Sequence, residues 1–443
     1  MRAAFSILFI AITLFAFGQE KEKKSSGRLS GQWRSYYLGT INDGDLKDFH
    51  AIATGGKLKY VHGFGEHWRL GGAMYVSINT GIQDLTVPDQ ATGRVSRYES
   101  GLFDVQNLDD QFIAFPGELF VQYLHGEHEI TLGRMKIKSP FINPEDGRMI
   151  PTLEQGLWYK YQPNKWKLQA GLFNQIAPRS TSGFFDIGES IGKYPVGRHT
   201  DGSRSQYASN TISDFVAVLN VDYSVSDQLK LEMWDYWVDN VFHSFYLKPT
   251  WKLSENTSLS GEWLHQDRVG DGGNAIDSLR YFVDRSSNIL GIQVSQKVGK
   301  GKFSLGYDHI LKGGRFIFPR EWGREFLFSF QKRERSEGAA NNHALVAYYD
   351  QTFGKDKNKW RGIFSVSHHW KPDVTNAEDN KYAQPNYMHV NLDIFWMPQN
   401  IKGLRPELLL TYKKGTGDFP DNPNFILNKV DMFQVNFVVN YNF

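Results

Sequence analysis

The sequence predicts an all-β fold, a transmembrane antiparallel β-barrel of about 18 strands, and three observations support it. Segments in which apolar and polar residues alternate recur from residue 31 to residue 443. The connections between them are alternately short and long. Aromatic residues make up 15% of the chain and gather at the segment ends. Alternation gives a strand one apolar and one polar face, which suits lipid outside and a watery lumen inside.

The segment 430–443 shows the alternation clearly. Every second residue from Phe433 to Phe443 is apolar, and most residues between them are Gln or Asn. A strand of a soluble secreted β protein could read the same way, so that class stays an alternative. In a barrel, we expect this strand to run toward the short-turn rim and to close the barrel by pairing with the strand at 31–42. Its terminal aromatic residue suits recognition by the barrel insertion machinery.

The alternation of apolar and polar residues predicts eighteen strands. They are predicted at 31–42, 50–61, 67–79, 117–125, 128–135, 156–162, 165–174, 214–224, 227–237, 241–252, 257–267, 287–298, 302–311, 342–353, 359–370, 386–397, 404–415 and 430–443. An even number near eighteen suits a lumen wide enough for water unless loops fold into it.

The connections indicate which rim is which. Every second connection is a short turn rich in Gly, Asn, Asp and Pro, as hairpins require. Most of the others are long, with 43–49 and 238–240 as short exceptions. Short turns on one rim and long loops on the other are typical of outer-membrane barrels, and closure removes unpaired strand edges. Interfacial aromatic girdles are predicted from Trp33, Tyr36, Trp68, Trp158, Trp166, Trp251, Trp360 and Trp396.

The N-terminus predicts export. Residues 1–18 combine a charged Arg2, an apolar run at 5–17 and small residues before residue 19, which together form a signal peptide. Residues 19–30 are expected to be a disordered mature N-terminus, and 31–443 a single barrel with infolded loops near 136–155 and 312–341. The expected location is the outer membrane of a Gram-negative bacterium, with outer-membrane lipid as a partner.

Composition excludes several classes of function. The chain has no Cys, which rules out disulfides, thiolate catalysis, thiolate metal sites and a lipidated N-terminal Cys. A net charge of +2 gives no reason to expect nucleic acid. No catalytic nucleophile motif accompanies the 13 His residues, so an enzyme is the less favoured alternative. Acidic runs at 104–110 and 418–422 do not follow a calcium-ligand spacing, and no metal or cofactor is expected.

Two long loops carry the residues that could select a solute. The loop 136–155 combines the charged Asp146 and Arg148 with apolar Phe141 and Ile142. A solvent-exposed loop has little reason for such apolar content, so we expect this loop to fold into the lumen. Arg134 precedes it and shares strand parity with lipid-facing residues, which requires a position beyond the hydrocarbon layer or after a bulge.

The loop 312–341 is rich in Arg and Glu. Its guanidinium groups could bind a carboxylate or phosphate through two parallel hydrogen bonds, or they could pair internally and tie the loop to the wall. Both interpretations stay open. By strand parity, basic side chains on the lumen wall are also predicted, among them Lys160, Arg361 and Arg405. Charged rings and infolded loops are what make a pore selective.

The run around the first loop resembles a known family. Gly133-Arg134, Ser139-Pro140, Asn143, Asp146, Arg148, Pro151 and 154–156 are similar to the OprD family of substrate-specific outer-membrane porins, as is the strand pair at 53–60 and 68–75. The resemblance implies an eighteen-stranded barrel, monomeric or homotrimeric. It also implies that the third and seventh loops form the constriction, and that basic residues along one wall guide small anions with carboxylates.

The sequence therefore predicts an outer-membrane channel for passive uptake of small polar solutes, carboxylate-bearing or otherwise anionic or zwitterionic. A general or phosphate-type diffusion porin is the alternative. The residues expected at the constriction or along the solute path are Arg134, Asp146, Arg148, Lys160, Arg315, Arg320, Arg324, Arg333, Arg361 and Arg405.

Overall fold

The structure, a computed structural model, describes residues 27–144, 148–194, 196–355 and 358–443. Within them it has nineteen strands: β1 (Gly27–Asn42), β2 (Phe49–Phe64), β3 (Trp68–Asn79), β4 (Phe112–His125), β5 (His128–Met135), β6 (Leu153–Tyr161), β7 (Trp166–Ala177), β8 (Phe185–Asp186), β9 (Val216–Ser224), β10 (Leu229–Val238), β11 (Phe242–Lys252), β12 (Thr257–Arg268), β13 (Ser286–Val298), β14 (Gly301–Ile310), β15 (Asn342–Lys355), β16 (Asn358–Trp370), β17 (Asn386–Pro398), β18 (Leu404–Thr416) and β19 (Met432–Asn442).

All of these strands except β8 form the wall of a closed barrel. Each wall strand pairs antiparallel with its neighbours along the chain, and β7 pairs directly with β9. β19 returns to β1 in a register that runs from Gln32 opposite Asn442 to Asn42 opposite Met432. The predicted barrel of eighteen strands closed by its terminal strands is confirmed. β8 is an extra strand of two residues that pairs only with β7.

The predicted alternation describes the wall well. In β19, Phe437 is 47% exposed on the outer face, whereas Gln434 and Asn436 are buried in the interior. Most of the predicted girdle residues are exposed on the outside. Three are not. Tyr36 and Trp158 are buried inside, because they occupy the inward parity of β1 and β6, and Trp396 is half-buried. The predicted aromatic residues therefore lie partly on the outer face of the wall and partly inside the barrel.

The start of the barrel differs from the prediction. β1 begins at Gly27, so residues 27–30, predicted to be disordered, are in a strand. They pair with the end of β2, where Gly27 lies opposite His62 and Ser30 opposite Lys59. The backbone groups of β2 beyond residue 58 that point away from β3 would otherwise lack partners in the sheet. The predicted signal peptide at 1–18 and residues 19–26 lie outside the described residues.

Helical structure is scarce in this molecule. The described residues contain one four-residue helix, α1 (Ile187–Ser190), and four short 3-10 turns. Across the described part of the chain, no helix has the length and apolar character needed to cross a membrane.

The lumen is partly filled on the side of the long loops. Phe141, Phe316 and Trp322, all from loops, are buried together with Tyr236 and Tyr246 of β10 and β11. Phe141 meets the rings of these two tyrosines edge to face, at 5.6 and 5.4 Å between centroids. Buried aromatic packing of this kind fixes the position of a loop, so the loops that narrow the barrel are rigidly placed.

Candidate functional site: the constriction of the lumen

The loops 136–152 and 311–341 contact each other inside the barrel. Asn143 accepts a hydrogen bond from the backbone N–H of Arg324 (3.1 Å) and donates one to its carbonyl (2.9 Å). The backbone N–H of Asn143 also bonds the carbonyl of Trp322 at 3.1 Å. Thr152 donates to the carbonyl of Glu321 at 3.0 Å. A single Asn side chain thus satisfies both backbone groups of Arg324, which fixes the two loops against each other.

On one side of the barrel, side chains of the wall hold the loop 311–341 by hydrogen bonds to its backbone. Gln266 of β12 receives the N–H of Ile317 and donates to its carbonyl, at 3.2 and 3.0 Å. Further along, Glu262 accepts the N–H of Phe328 at 2.8 Å. These buried side chains of the wall bond backbone groups of the loop that would otherwise need water as a partner.

The tip of this loop reaches the opposite side of the wall. The ammonium group of Lys332 forms ion pairs with Asp393 of β17 and with Glu407 of β18, the latter at 2.6 Å. Arg333 donates to Tyr36 of β1 and to Asn436 of β19, the latter at 2.5 Å. The loop therefore crosses the lumen and is held at both ends.

Two cavities border this crossing, one on each side. The outer cavity, toward the long loops, has a volume of about 60 Å³. The inner cavity, toward the short turns, has a volume of about 490 Å³. Arg148, Arg324 and Arg333 line both cavities. These three arginines therefore form the partition between the two cavities, and a solute crossing the barrel here must pass them.

Both cavities are strongly basic. The outer cavity is lined by nine Arg and Lys side chains and only two acids, Glu334 and Glu337. The inner cavity is lined by seven Arg and Lys side chains and one acid, Glu407. Fields from charges of one sign add up in a cleft with walls of low dielectric constant, so this basic surplus makes the electrostatic potential in both cavities positive.

Of the predicted residues, the structure brings Arg148, Arg320, Arg324 and Arg333 together at the outer cavity. Arg320 also forms a buried ion pair with Glu337, and its guanidinium lies 3.5 Å from the ring centroid of Tyr382. Burial opposes the charge of Arg320, but the anionic form of Tyr382 and Glu337 favours it, and its pKa is raised overall. Arg320 therefore lines the outer cavity and is also paired with an acid of its own loop, Glu337.

Arg315 lies apart from the cavities. It is buried, forms an ion pair with Asp284 at 3.1 Å, and donates to the carbonyls of Arg198 and Ala377. Arg315 ties the base of the loop 311–341 to neighbouring loops. For this residue, the expected alternative of internal pairing describes the structure.

Four other predicted residues lie away from the partition. Lys160 pairs with Glu129 at 2.9 Å, and Arg361 pairs with Asp350 at 2.5 Å, both on the inward face of the wall. Arg405 is exposed and donates to the carbonyl of its own neighbour, Leu404.

Arg134, the fourth, donates to Gln155 at 2.8 Å and lies over the ring of Phe184 at 4.5 Å, outside the cluster. It keeps the strand parity of the exposed Leu132, as the sequence requires. Asp146 lies outside the described residues.

The prediction missed several basic residues of the cavities. Arg97 and Arg179 come from the loops after β3 and β7, and Lys371 follows β16 directly. Arg34 and Lys57 lie on inward positions of β1 and β2. Strand parity could have identified Arg34 and Lys57, but no local pattern marks the loop residues.

The two acids of the outer cavity are held ionised by their surroundings. Burial raises the pKa of Glu334, but Lys413, at 2.7 Å, and nearby basic groups overcome it and hold the pKa well below its usual range. Burial likewise opposes ionisation of Glu337, and Arg320 and Lys381 lower its pKa. These carboxylates are therefore internal counter-ions for part of the basic surplus.

The described residues offer no metal centre. Within these ranges, no group of three or more His, Asp and Glu side chains is arranged to hold a metal ion. The acidic run at 104–110 contributes Asp104, which accepts hydrogen bonds from the hydroxyl and the backbone N–H of Ser182, the latter at 3.1 Å. It therefore serves loop structure.

Comparison with solved structures gives the same architecture. OccAB3 of Acinetobacter baumannii aligns with a TM-score of 0.68 at 12% identity, over 94% of this chain and 99% of that one. OccAB2 of the same organism gives 0.68 at 14% identity, over 95% and 99%. OpdK of Pseudomonas aeruginosa, solved with vanillate, gives 0.65 at 14% identity, over 94% and 98%. At these identities the likeness establishes the fold.

Sequence comparison identifies the family. No curated protein matches the chain. The family model for outer membrane porins of the OprD family matches residues 110–355, which is more than half of the 443 residues. The chain therefore belongs to the OprD family of porins, channels through which small solutes cross the bacterial outer membrane.

Proposed function

We propose that this porin serves the passive uptake of small anionic solutes, those with carboxylate groups in particular. The observation that carries the proposal is the partition of Arg148, Arg324 and Arg333 between two cavities in which basic residues far outnumber acids. A guanidinium group binds a carboxylate in a bidentate manner and stays charged at every physiological pH. A cation would meet the same groups as an electrostatic barrier.

The dimensions of the site favour small solutes. A volume of about 60 Å³ in the outer cavity holds only a few water molecules, since one water needs roughly 10–15 Å³ by this measure. A solute must therefore displace side chains as it passes. The inner cavity, at about 490 Å³, offers more room beyond the partition. Tight passage over arginines would favour solutes that replace the water on those side chains.

The proposal is tested by conductance in a planar bilayer, with reversal potentials measured in a KCl gradient. Wild type is expected to prefer anions. Arg324→Gln should lower this preference, because Arg324 lines both cavities. Arg361→Gln is the matched control, because Arg361 is paired with Asp350 and lies away from both cavities. A wild-type channel that strongly prefers cations would overturn the proposal.

Solute block separates carboxylates from phosphate. Vanillate, an aromatic carboxylate, is the first probe, because the related OpdK was solved with it. Addition of vanillate should interrupt single-channel current at lower concentration than inorganic phosphate does. Stronger block by phosphate would favour the phosphate-type alternative, and equal weak effects would favour a general diffusion porin.

The proposal extends to export of the chain and to its assembly in the outer membrane. We infer that residues 1–18 direct export, and that β19 is the segment bound by the insertion machinery, since its outward face is aromatic at Phe437 and Tyr441. The functional unit is a monomer or a homotrimer. Cross-linking of intact cells followed by electrophoresis without heating distinguishes the two.

A further inference from the structure

The outward face of β14, β15 and β16 carries a contiguous group of histidines near the long-loop rim. His309 lies directly opposite His343, and their rings stack with 3.8 Å between centroids. His343 lies opposite Trp370, whose ring is 4.3 Å from that of His368. We define these four residues as the histidine patch. We propose that it binds the phosphate group of a lipid in the outer leaflet of the membrane.

The patch belongs to the lipid-facing surface. His309, His343 and His368 share strand parity with Leu305, Leu345 and Phe364, which are 42, 40 and 46% exposed. No part of the lumen wall is involved, since the inward positions of these strands alternate with them. A partner of this surface must therefore come from the membrane or from its outer edge.

The depth of the patch matches that of lipid headgroups. His343 is the second residue of β15, and ten residues further along the same strand face lies Phe353, which is 45% exposed near the short-turn rim. Ten residues at about 3.3 Å each, tilted by roughly 40°, span about 25 Å. That is the height of the apolar band of an outer-membrane barrel. His343 therefore lies at its extracellular edge, where phosphates of the outer leaflet are found.

The charge of the patch can be used by an external anion. Within the described ranges, none of its three imidazoles has a carboxylate at ion-pair distance. His343 instead contacts the hydroxyl of Tyr307 at 2.5 Å, and His368 that of Thr416 at 3.1 Å. Protonation of these rings thus creates a positive charge that the protein itself does not neutralise.

Two other histidines of the same outward band differ. His243 contacts Asp235 and His265 contacts Asp267, each at 2.7 Å. Their positive charge is already neutralised by the protein. Lys414 of β18, two strands from His368, is likewise paired, with Asp431 at 2.8 Å. At the patch, by contrast, an incoming phosphate would meet imidazoles that have no acidic partner.

The chemistry of imidazole sets the conditions for binding. Histidine ordinarily titrates near pH 6.5, and its charged form donates from both ring nitrogens. Charged forms of His309 and His343 would repel each other at 3.8 Å between ring centroids, and a bound phosphate relieves that repulsion. Trp370, 43% exposed, supplies an apolar surface beside these donors. This arrangement fits a phosphate joined to a lipid better than a free anion.

Binding is tested with the full chain in detergent micelles by native mass spectrometry. The probes are lipid A that carries two phosphates and the same lipid after removal of both. At pH 5.5, the phosphorylated lipid should bind more tightly, by about fivefold per protonated imidazole, and this advantage should fall at pH 8.0. The triple variant His309→Asn, His343→Asn, His368→Asn should lose the advantage and its pH dependence.

The double variant His243→Asn, His265→Asn is the matched control and should bind like wild type. Heat-modifiable gel mobility confirms that each variant is folded. Equal binding of the two lipids, or an equal loss in the control variant, would overturn the proposal. Displacement of the lipid by an equal concentration of inorganic phosphate would also overturn it, because the site would then be one for free phosphate.

Discussion

Glu262 of β12 and Asp308 of β14 hold two consecutive backbone amides of the loop that crosses the lumen. Glu262 accepts the N–H of Phe328 at 2.8 Å, and Asp308 accepts that of Ser329 at 2.6 Å. Both acids are buried, and their carboxylates meet above Gly291 of the strand between them. Two buried carboxylates this close can share one proton, so the pair acts as one anchor for the loop.

Gly291 makes this anchor possible. A Cβ at that position would lie 2.2 Å from Asp308 Oδ1 and 2.8 Å from Glu262 Oε1. We expect Gly291→Ala to push the carboxylates away from the loop, cost about 1–3 kcal/mol of stability, and give a larger and noisier single-channel conductance. Gly261→Ala in the neighbouring strand is the control, because its nearest contact would be at 3.6 Å. A quiet channel of wild-type conductance in Gly291→Ala would contradict this anchor.

Lys332 neutralises two acids of the far wall. Its removal in Lys332→Met leaves Asp393 and Glu407 without their shared cation next to the inner cavity. We therefore expect the anion preference to fall, measured as a shift of the reversal potential toward that of a non-selective channel. Lys167→Met is the control, since the Lys167 pair with Asp222 at 3.3 Å lies away from this cavity. The prediction is wrong if both variants shift equally.

The selectivity should depend on pH through Lys371. Burial lowers the pKa of this ammonium group to about 8, although Glu334 opposes the shift. Because the pKa is lowered, Lys371 is charged below pH 8 and neutral above it, while the arginines around the outer cavity stay charged. The anion preference of wild type should therefore decrease between pH 7 and pH 9.

Lys371→Met should remove that decrease. Lys381→Met is its control, because burial also lowers the pKa of Lys381 to about 8 but this residue does not line the outer cavity. Reversal potentials at pH 7 and pH 9 decide the matter. A slope that survives in Lys371→Met and disappears in Lys381→Met would contradict the assignment.

Glu334 should limit the anion preference of the channel. The substitution Glu334→Gln removes a negative charge from the outer cavity and leaves Lys413 without its acidic partner. We expect stronger anion preference and longer blocked intervals with vanillate. Because the pKa of Glu334 is depressed in the folded protein, its stabilising effect is present above the ordinary carboxyl pKa and is lost only as pH falls through the lower, folded value.

Thermal unfolding followed from pH 7 to pH 2 tests whether ionised Glu334 stabilises the folded protein. Wild type should lose stability in a more acidic range than an ordinary carboxyl group would give, and Glu334→Gln should lack that component. A Glu334→Gln protein with an unchanged acid profile and unchanged selectivity would show that the carboxylate has no such role.

Periodicity predicted the barrel because lipid imposes it on every strand. The strand expected at 257–267 is observed as Thr257–Arg268, one residue longer. The constriction was predictable only in part. Arg315 and Arg320 look alike in sequence, but Arg315 meets Asp284 from another loop, whereas Arg320 lines the outer cavity.

Such partners are set by loops that fold over one another, and no local pattern records them. Arg97 and Arg179 were missed for the same reason, because each reaches the outer cavity from a loop far away in sequence. Lys57 was within reach of parity alone, since its neighbours Leu58 and Tyr60 alternate with it on the outside.

The loop that crosses the lumen is also a mechanical element. It joins β12 and β14 through Glu262 and Asp308 to β17 and β18 through Lys332. A hollow cylinder with such a cross-brace resists being flattened by lateral pressure in the membrane. Selection for a wider pore and selection for a stiffer envelope therefore act on the same residues in opposite directions. Variants of this porin that admit larger solutes should be the ones that deform most easily.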